Sequence, residues 1–146
     1  MTEFGQQFTL LSEQISQPFE LRQYQQRIIN ELYNQIRKGT KRILVYAPTG
    51  SGKTAIACRV MLQALTKGLR ILFLIHRDPL VEQTRASLIR DGIAAELIGI
   101  LKAGYKEERA SPIQIASIQT LARRKFPQGI ELIIADECHT VCWYDT

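Results

Sequence analysis

Apolar side chains recur every three or four residues at Leu21, Tyr24, Ile28, Leu32 and Ile36, tracing one face of a helix. Gly39 follows, where a left-handed residue closes such a helix. The period then changes. Residues 42–47 contain the unbroken run Ile43, Leu44, Val45, Tyr46 and are expected as a strand, and a second helix is expected from about Lys53 until Gly68 ends it. Residues 69–75 form another apolar run, short enough for a buried strand. Asp78 and Pro79 come in the order of an N-cap and a first-turn proline, opening a helix to about Arg90 with Gly92 beyond it. Strands are expected at 96–101 and 113–117, separated by the charged loop 102–111; a short helix at 118–124 leads past Pro127 to a last strand at 131–135. Five short apolar strands alternating with helices predict an α/β fold whose mainly parallel sheet is covered on both faces. Residues 1–20, rich in Gln and Ser, read as an N-terminal extension, and residues 21–146 as one domain.

Composition narrows this picture only a little. The 146 residues suffice for one domain with a core, and 45% hydrophobic with 23% charged residues is an ordinary globular balance. No apolar run approaches the ~20 residues that span a bilayer, and the polar N-terminus lacks the pattern of a secretory signal, so no membrane partner and a cytoplasmic or nucleoid-associated location are expected. A net charge of +5 hints at a polyanionic partner. Cys58, Cys138 and Cys142 have no framework spacing, which fits a reducing compartment. Cys138, His139 and Cys142 lie close together, but Zn²⁺ takes four ligands and the other histidine, His76, is distant in sequence.

Two stretches carry candidate chemistry. Ala47, Pro48, Thr49, Gly50, Ser51, Gly52, Lys53 and Thr54 stand between the first expected strand and the helix after it. In such a turn the glycines admit positive φ and let backbone N–H groups face phosphate oxygens, to which the helix N-terminus adds partial positive charge. Lys53 would reach the β- and γ-phosphates and the Thr54 hydroxyl would ligate Mg²⁺, so a nucleoside triphosphate is the expected ligand. The second stretch is Asp136-Glu137, directly after the apolar run Leu132 to Ala135. Carboxylates at the carboxyl end of a parallel strand share a sheet edge with the phosphate turn. Asp136 suits the Mg²⁺ shell and Glu137 suits a base that orients the attacking water. Without the phosphate turn upstream, an acidic helix cap would be the better reading of that pair.

Together these residues resemble motifs I and II of the superfamily 2 DEAD/DEAH-box helicases, the second reading Asp136-Glu137-Cys138-His139 (a DECH box). Leu21-Arg22-Gln23-Tyr24-Gln25 is similar to the adenine-recognising Q-motif variant of the XPB- and RadD-like branch. Residues 75–83, from Ile75-His76-Arg77-Asp78 to Gln83, look like motif Ia, and Ala116-Ser117-Ile118-Gln119-Thr120-Leu121 looks like the motif before the acidic one. The resemblance implies a RecA-like P-loop NTPase three-layer sandwich and an ATP-dependent helicase or translocase with ATP and Mg²⁺ as cofactors. Gln25, helped by Arg22, would bind the adenine edge; Lys53, Asp136 and Glu137 would be catalytic; His139 would couple nucleotide state to a neighbouring domain. Arg77 and Thr120, with the basic run Arg123, Arg124 and Lys125, would contact nucleic acid, DNA more readily than RNA, although that run also fits a solvated helix end.

The sequence departs from the family pattern in two respects. Cys138 stands where alanine is commoner, a small-for-small exchange. No Ser-Ala-Thr motif follows Thr146's side of the acidic box, and no second RecA-like domain with arginine fingers, so the chain reads as a truncated first motor domain. An arginine finger is worth ~10³–10⁵ in rate, which predicts very weak hydrolysis by this chain alone. Two other readings stay open: a small-molecule kinase using the same turn, and a P-loop nucleotide-binding module without helicase activity.

Overall fold

The computed structural model describes residues 20–102 and 110–138. The expectations for residues 1–19, the centre of the charged loop, His139 and Cys142 lie outside them. Helix α1 is Gln23–Arg37 and α2 is Lys53–Thr66. Strand β1, Ile71–Ile75, leads to α3, Leu80–Arg90. A single 3₁₀ turn, Ala95–Leu97, precedes β2, Ile98–Leu101; β3, Ile113–Ser117, runs directly into the one-turn helix α4, Ile118–Leu121; and β4 is Leu132–Ala135.

These strands form a four-stranded sheet in the order β2-β3-β1-β4, every pair parallel. Parallel pairing needs a crossover between strands, which α3 supplies between β1 and β2. It also brings all four carboxyl ends to one edge of the sheet. β1, β2 and β3 are buried along their whole length, which is why they read as unbroken apolar runs instead of alternating ones.

One face of the sheet (Ile71, Phe73, Ile75, Ile98, Ile100, Ile113, Ile115) packs against Met61 and Leu65 of α2 and Val81 and Leu88 of α3. Cys58 joins this core, where burial, and secondarily Asp91, pushes its thiol up to about 12, leaving it neutral and inert. The other face gathers Leu72, Leu74, Leu101 and Ala116 with Leu121 of α4 and Ile130. A third cluster joins Ile29 of α1 to Ile56 and Val60 of α2, with Leu132 and Ile134 of β4 packed on it. The helix that begins at Lys53 therefore lies over the strand that ends at Ala135.

Three expectations need correction. Residues 42–47 are not a strand: among the described residues they pair with none of the four strands, and Leu44 and Tyr46 are 77% and 89% exposed. An apolar run becomes a strand only when a neighbour takes up its ladder hydrogen bonds. The sheet accordingly has four strands among the described residues and not five. Second, the helix expected at 118–124 stops at Leu121, after one turn. Third, Asp78 does not cap α3; the cap position is Pro79, without a side-chain hydrogen bond, and the Asp78 carboxylate turns toward β3.

The contrast between core and edge gives a direct test. Ile115, fully buried on the central strand β3, should cost about 2–5 kcal/mol when cut to alanine. Ile133, 49% exposed on β4, should cost less than about 1 kcal/mol. Urea denaturation of the two variants checks this, and equal losses would contradict the burial described.

Candidate functional site

Gly50 and Gly52 both adopt left-handed φ, +78° and +77°, so the chain reverses twice within three residues before α2 begins. Between them the Ser51 N–H donates to the Pro48 carbonyl at 3.1 Å, closing a tight turn. Gly52 is the N-cap of α2, and its carbonyl accepts the Ile56 N–H at 3.2 Å. Lys53 is exposed and Thr54 half-buried in the first turn of that helix, at its partially positive end. Pro48 and Thr49 are exposed on the turn, and the Ser51 Oγ is buried with no hydrogen-bond partner among the described residues. An unsatisfied buried hydroxyl beside a doubly left-handed turn is what an anion-holding backbone needs a ligand to complete.

The turn is fastened from behind by α1. The Tyr24 hydroxyl donates to the Ser51 carbonyl, and Gln25 Nε2 donates to the same carbonyl at 3.1 Å and to that of Gly52 at 3.4 Å. Gln25 Oε1 accepts the backbone N–H of Arg22 at 2.9 Å, so both ends of a 5%-exposed amide are engaged within the protein. Gln25, expected at the adenine edge, here anchors the glycine turn to the N-terminus of α1, while the Arg22 side chain is exposed. By its spacing Tyr24 belongs to the apolar face of α1, and its hydroxyl is the signal for this second role. A cavity of about 410 Å³ opens beside this contact, between Tyr24 and Ile28 of α1 and residues 46–51.

At the carboxyl ends of the strands, the Asp136 N–H donates to the Leu74 carbonyl at 2.9 Å, tying the acidic pair to β1. Asp136 is half-buried, and its Oδ1 accepts the Glu137 N–H at 2.9 Å. Glu137 is exposed with φ +52°, the one left-handed non-glycine among the described residues. A side chain held in that region costs of order 1–3 kcal/mol, and such outliers cluster where function needs a particular direction of the side chain.

The nucleic-acid candidates divide. Arg77 and Arg123 are exposed and Arg124 is half-buried. Thr120 is 8% exposed: its N–H donates to Ser117 Oγ at 3.0 Å and its hydroxyl to Asp78 Oδ1 at 3.1 Å. Thr120 therefore faces the protein and not the surface.

The family model described as "Type III restriction enzyme, res subunit" matches residues 18–142. IRC3 of Saccharomyces cerevisiae, which carries an ATP-dependent helicase name, is 37% identical over 131 residues, 82% of this chain and 19% of that protein. The Type I restriction enzyme EcoAI endonuclease subunit of Escherichia coli is 30% identical over 130 residues, 81% of this chain and 16% of that one. The chain thus spans less than a fifth of the length of these curated relatives. Among solved structures, the UvsW helicase of bacteriophage T4 superposes with a TM-score of 0.70 at 18% identity, over 94% of this chain and 50% of that one. That likeness establishes the RecA-like α/β fold.

The close packing of Gly52 makes it testable. A Cβ there would collide with Gln25 Nε2 in a backbone conformation that alanine resists. Gly52→Ala should destabilise the chain by about 1–3 kcal/mol. Adding Gln25→Ala removes the collision but also the anchor and leaves the strain, so, measured against Gln25→Ala alone, urea denaturation should show that Gly52→Ala still destabilises; no loss in that background would mean that the left-handed conformation is not required.

Proposed function

Because the chain belongs to the family of the Type III restriction enzyme res subunit, we propose that it is the ATP-binding first motor domain of an ATP-dependent helicase or translocase acting on nucleic acid. The observation that carries this reading is the pairing of two left-handed features: the double turn at Gly50 and Gly52 and the strained, non-glycine Glu137 beside Asp136. Ile56 and Val60 of α2 share a hydrophobic cluster with Leu132 and Ile134 of β4, which brings the elements bearing these features into contact.

The residues present fit a nucleoside triphosphate with Mg²⁺. The turn amides, the unpartnered Ser51 hydroxyl and exposed Lys53 suit phosphate oxygens; Thr54 and Asp136 suit the metal; Glu137 suits an attacking water. Bound Mg²⁺ would neutralise charge that develops on the transferred phosphoryl group. Gln25 and Tyr24 hold the turn, and Gln25 meets an adenine only if its amide gives up part of that bonding. Arg77 and the run Arg123 to Lys125 supply cations for a phosphate backbone, and His139 couples nucleotide state to the neighbouring domain. DNA is favoured over RNA, since relatives include restriction endonuclease subunits and the ATP-dependent DNA helicase MPH1 of Candida albicans. A second RecA-like domain in the parent protein would complete the cleft, and without it hydrolysis stays very slow. Among the described residues no helix is long and apolar enough to cross a membrane, which fits a motor working in the cytoplasm or on the nucleoid.

The test is ATP turnover by the full-length parent protein with single-stranded DNA, double-stranded DNA and RNA in parallel. Stimulation by DNA is expected, with Lys53→Ala and Glu137→Gln each lowering the stimulated kcat by at least about 10²-fold. Turnover indifferent to nucleic acid and to both substitutions would overturn the proposal.

A further inference from the structure

Asp78 closes a hydrogen-bonded triangle between two neighbouring loops. It lies three residues past β1, while Ser117 and Thr120 begin α4 directly after β3, and β1 and β3 are adjacent with Ile75 opposite Ser117. Asp78 Oδ1 accepts the Ser117 hydroxyl and, at 3.1 Å, the Thr120 hydroxyl; Ser117 Oγ in turn accepts the Thr120 N–H at 3.0 Å. Ser117 Oγ and Thr120 Oγ1 also lie 3.1 Å apart, which closes the triangle; the Asp78 carboxylate can take one proton from each hydroxyl while the serine oxygen caps α4. Ser117 is fully buried and Thr120 nearly so. Charge-assisted bonds to a carboxylate are among the stronger ones a protein makes, and here they join two segments just past Ile75 and Ser117, where the β1–β3 pairing ends.

Asp78 gives something up to do this. It stands immediately before a helix whose cap position, Pro79, makes no side-chain hydrogen bond, so the carboxylate serves the neighbouring loop instead of its own helix. The triangle lies between two cationic segments: exposed Arg77 directly before Asp78, and Arg123 to Lys125, which follow α4 after Ala122.

We infer that Asp78 is a positioning residue for nucleic-acid binding, locking the β1 and β3 loops through Ser117 and Thr120 so that Arg77 and the basic run after α4 meet one phosphate backbone at a fixed spacing. This rests on the proposed function and deepens it: the carboxylate touches no ligand, and Thr120 serves the lock instead of the nucleic acid. Phosphate contacts gain most when their cations are held at the right separation before binding, because the ordering cost is then already met.

The experiment is fluorescence anisotropy of labelled oligothymidylate titrated with the full-length parent protein. Asp78→Ala should weaken binding about tenfold, a size typical of coupled neighbours, whereas Asp78→Asn, whose Oδ1 still accepts both hydroxyls, should stay within about threefold of wild type. Arg77→Ala should weaken wild-type binding by about tenfold but the Asp78→Ala background by less than about threefold, because the lock and the arginine act through the same contact. Additive losses, or Asp78→Ala binding as well as wild type, would overturn the inference. If Asp78→Ala fails to fold, Thr120→Val carries the same cycle with the carboxylate intact. Should the wild-type protein bind no nucleic acid, the proposed function fails on its own account. The lock is then judged by hydrogen exchange of residues 118–121, which Asp78→Ala should accelerate and which, if unchanged, refutes it.

Discussion

Parallel pairing around β1 is the constraint on which the remainder of this structure depends. β1 is bonded to β3 on one side and β4 on the other, and because all the strands point the same way their carboxyl ends share an edge. Residues far apart in sequence, 76–78, 117–120 and 136–137, are thereby brought to one rim of the sheet. The register is held by residues on the rim as well as by the core: the Asp136 N–H donates to the Leu74 carbonyl, and at the opposite end Arg70 Nη1 donates to the Gln128 carbonyl while the Arg70 carbonyl accepts the Glu131 N–H. A slip of one residue would turn the apolar face of a half-covered strand such as β4 outward, so the hydrophobic clusters and these terminal bonds specify the same pairing.

The glycine turn depends on a different kind of support. Two left-handed glycines on either side of Ser51 have no side chains with which to hold themselves, and the flexibility of such a turn must be restrained from outside. Tyr24 and Gln25 provide that restraint by bonding the Ser51 and Gly52 carbonyls, and Ile29 of the same helix anchors α1 on Ile56 and Val60. The Ser51 and Gly52 carbonyls are thus engaged by α1, and the Ser51 N–H closes the turn on the Pro48 carbonyl.

Much of this was legible in the sequence. β1 and β3 emerge almost at the expected bounds because fully buried parallel strands are apolar without interruption, and helix ends at Gly39, Gly68 and Gly92 carry the positive φ that glycine supplies. The two chemical stretches were visible because a glycine turn and an acid pair at a strand end have local signatures. What was not legible is whatever depends on a partner. Residues 42–47 have strand composition, yet a ladder is made by two segments and composition describes one. Asp78 before Pro79 has the local form of a helix cap, but its acceptor atoms serve hydroxyls that lie 39 and 42 residues away in sequence. Gln25 has the local form of a base-recognising amide, and only the fold shows Ser51 and Gly52 within its reach.

Three carboxylates stand on the same rim, and their surroundings separate them. Asp78 has Oδ1 filled by two hydroxyls, so it is poorly suited to a metal ion and well suited to holding loops in place. Asp136 is half-buried and fixed to β1 through its own backbone, with one oxygen taken by the Glu137 amide, which orients the carboxylate while leaving acceptor capacity. Glu137 is exposed, and its left-handed backbone sends the side chain in a direction an ordinary strand extension would not reach. Three acids of one rim thus differ in burial, in backbone conformation and in which groups their oxygens accept, and sequence motifs that list the acids alike do not carry that distinction.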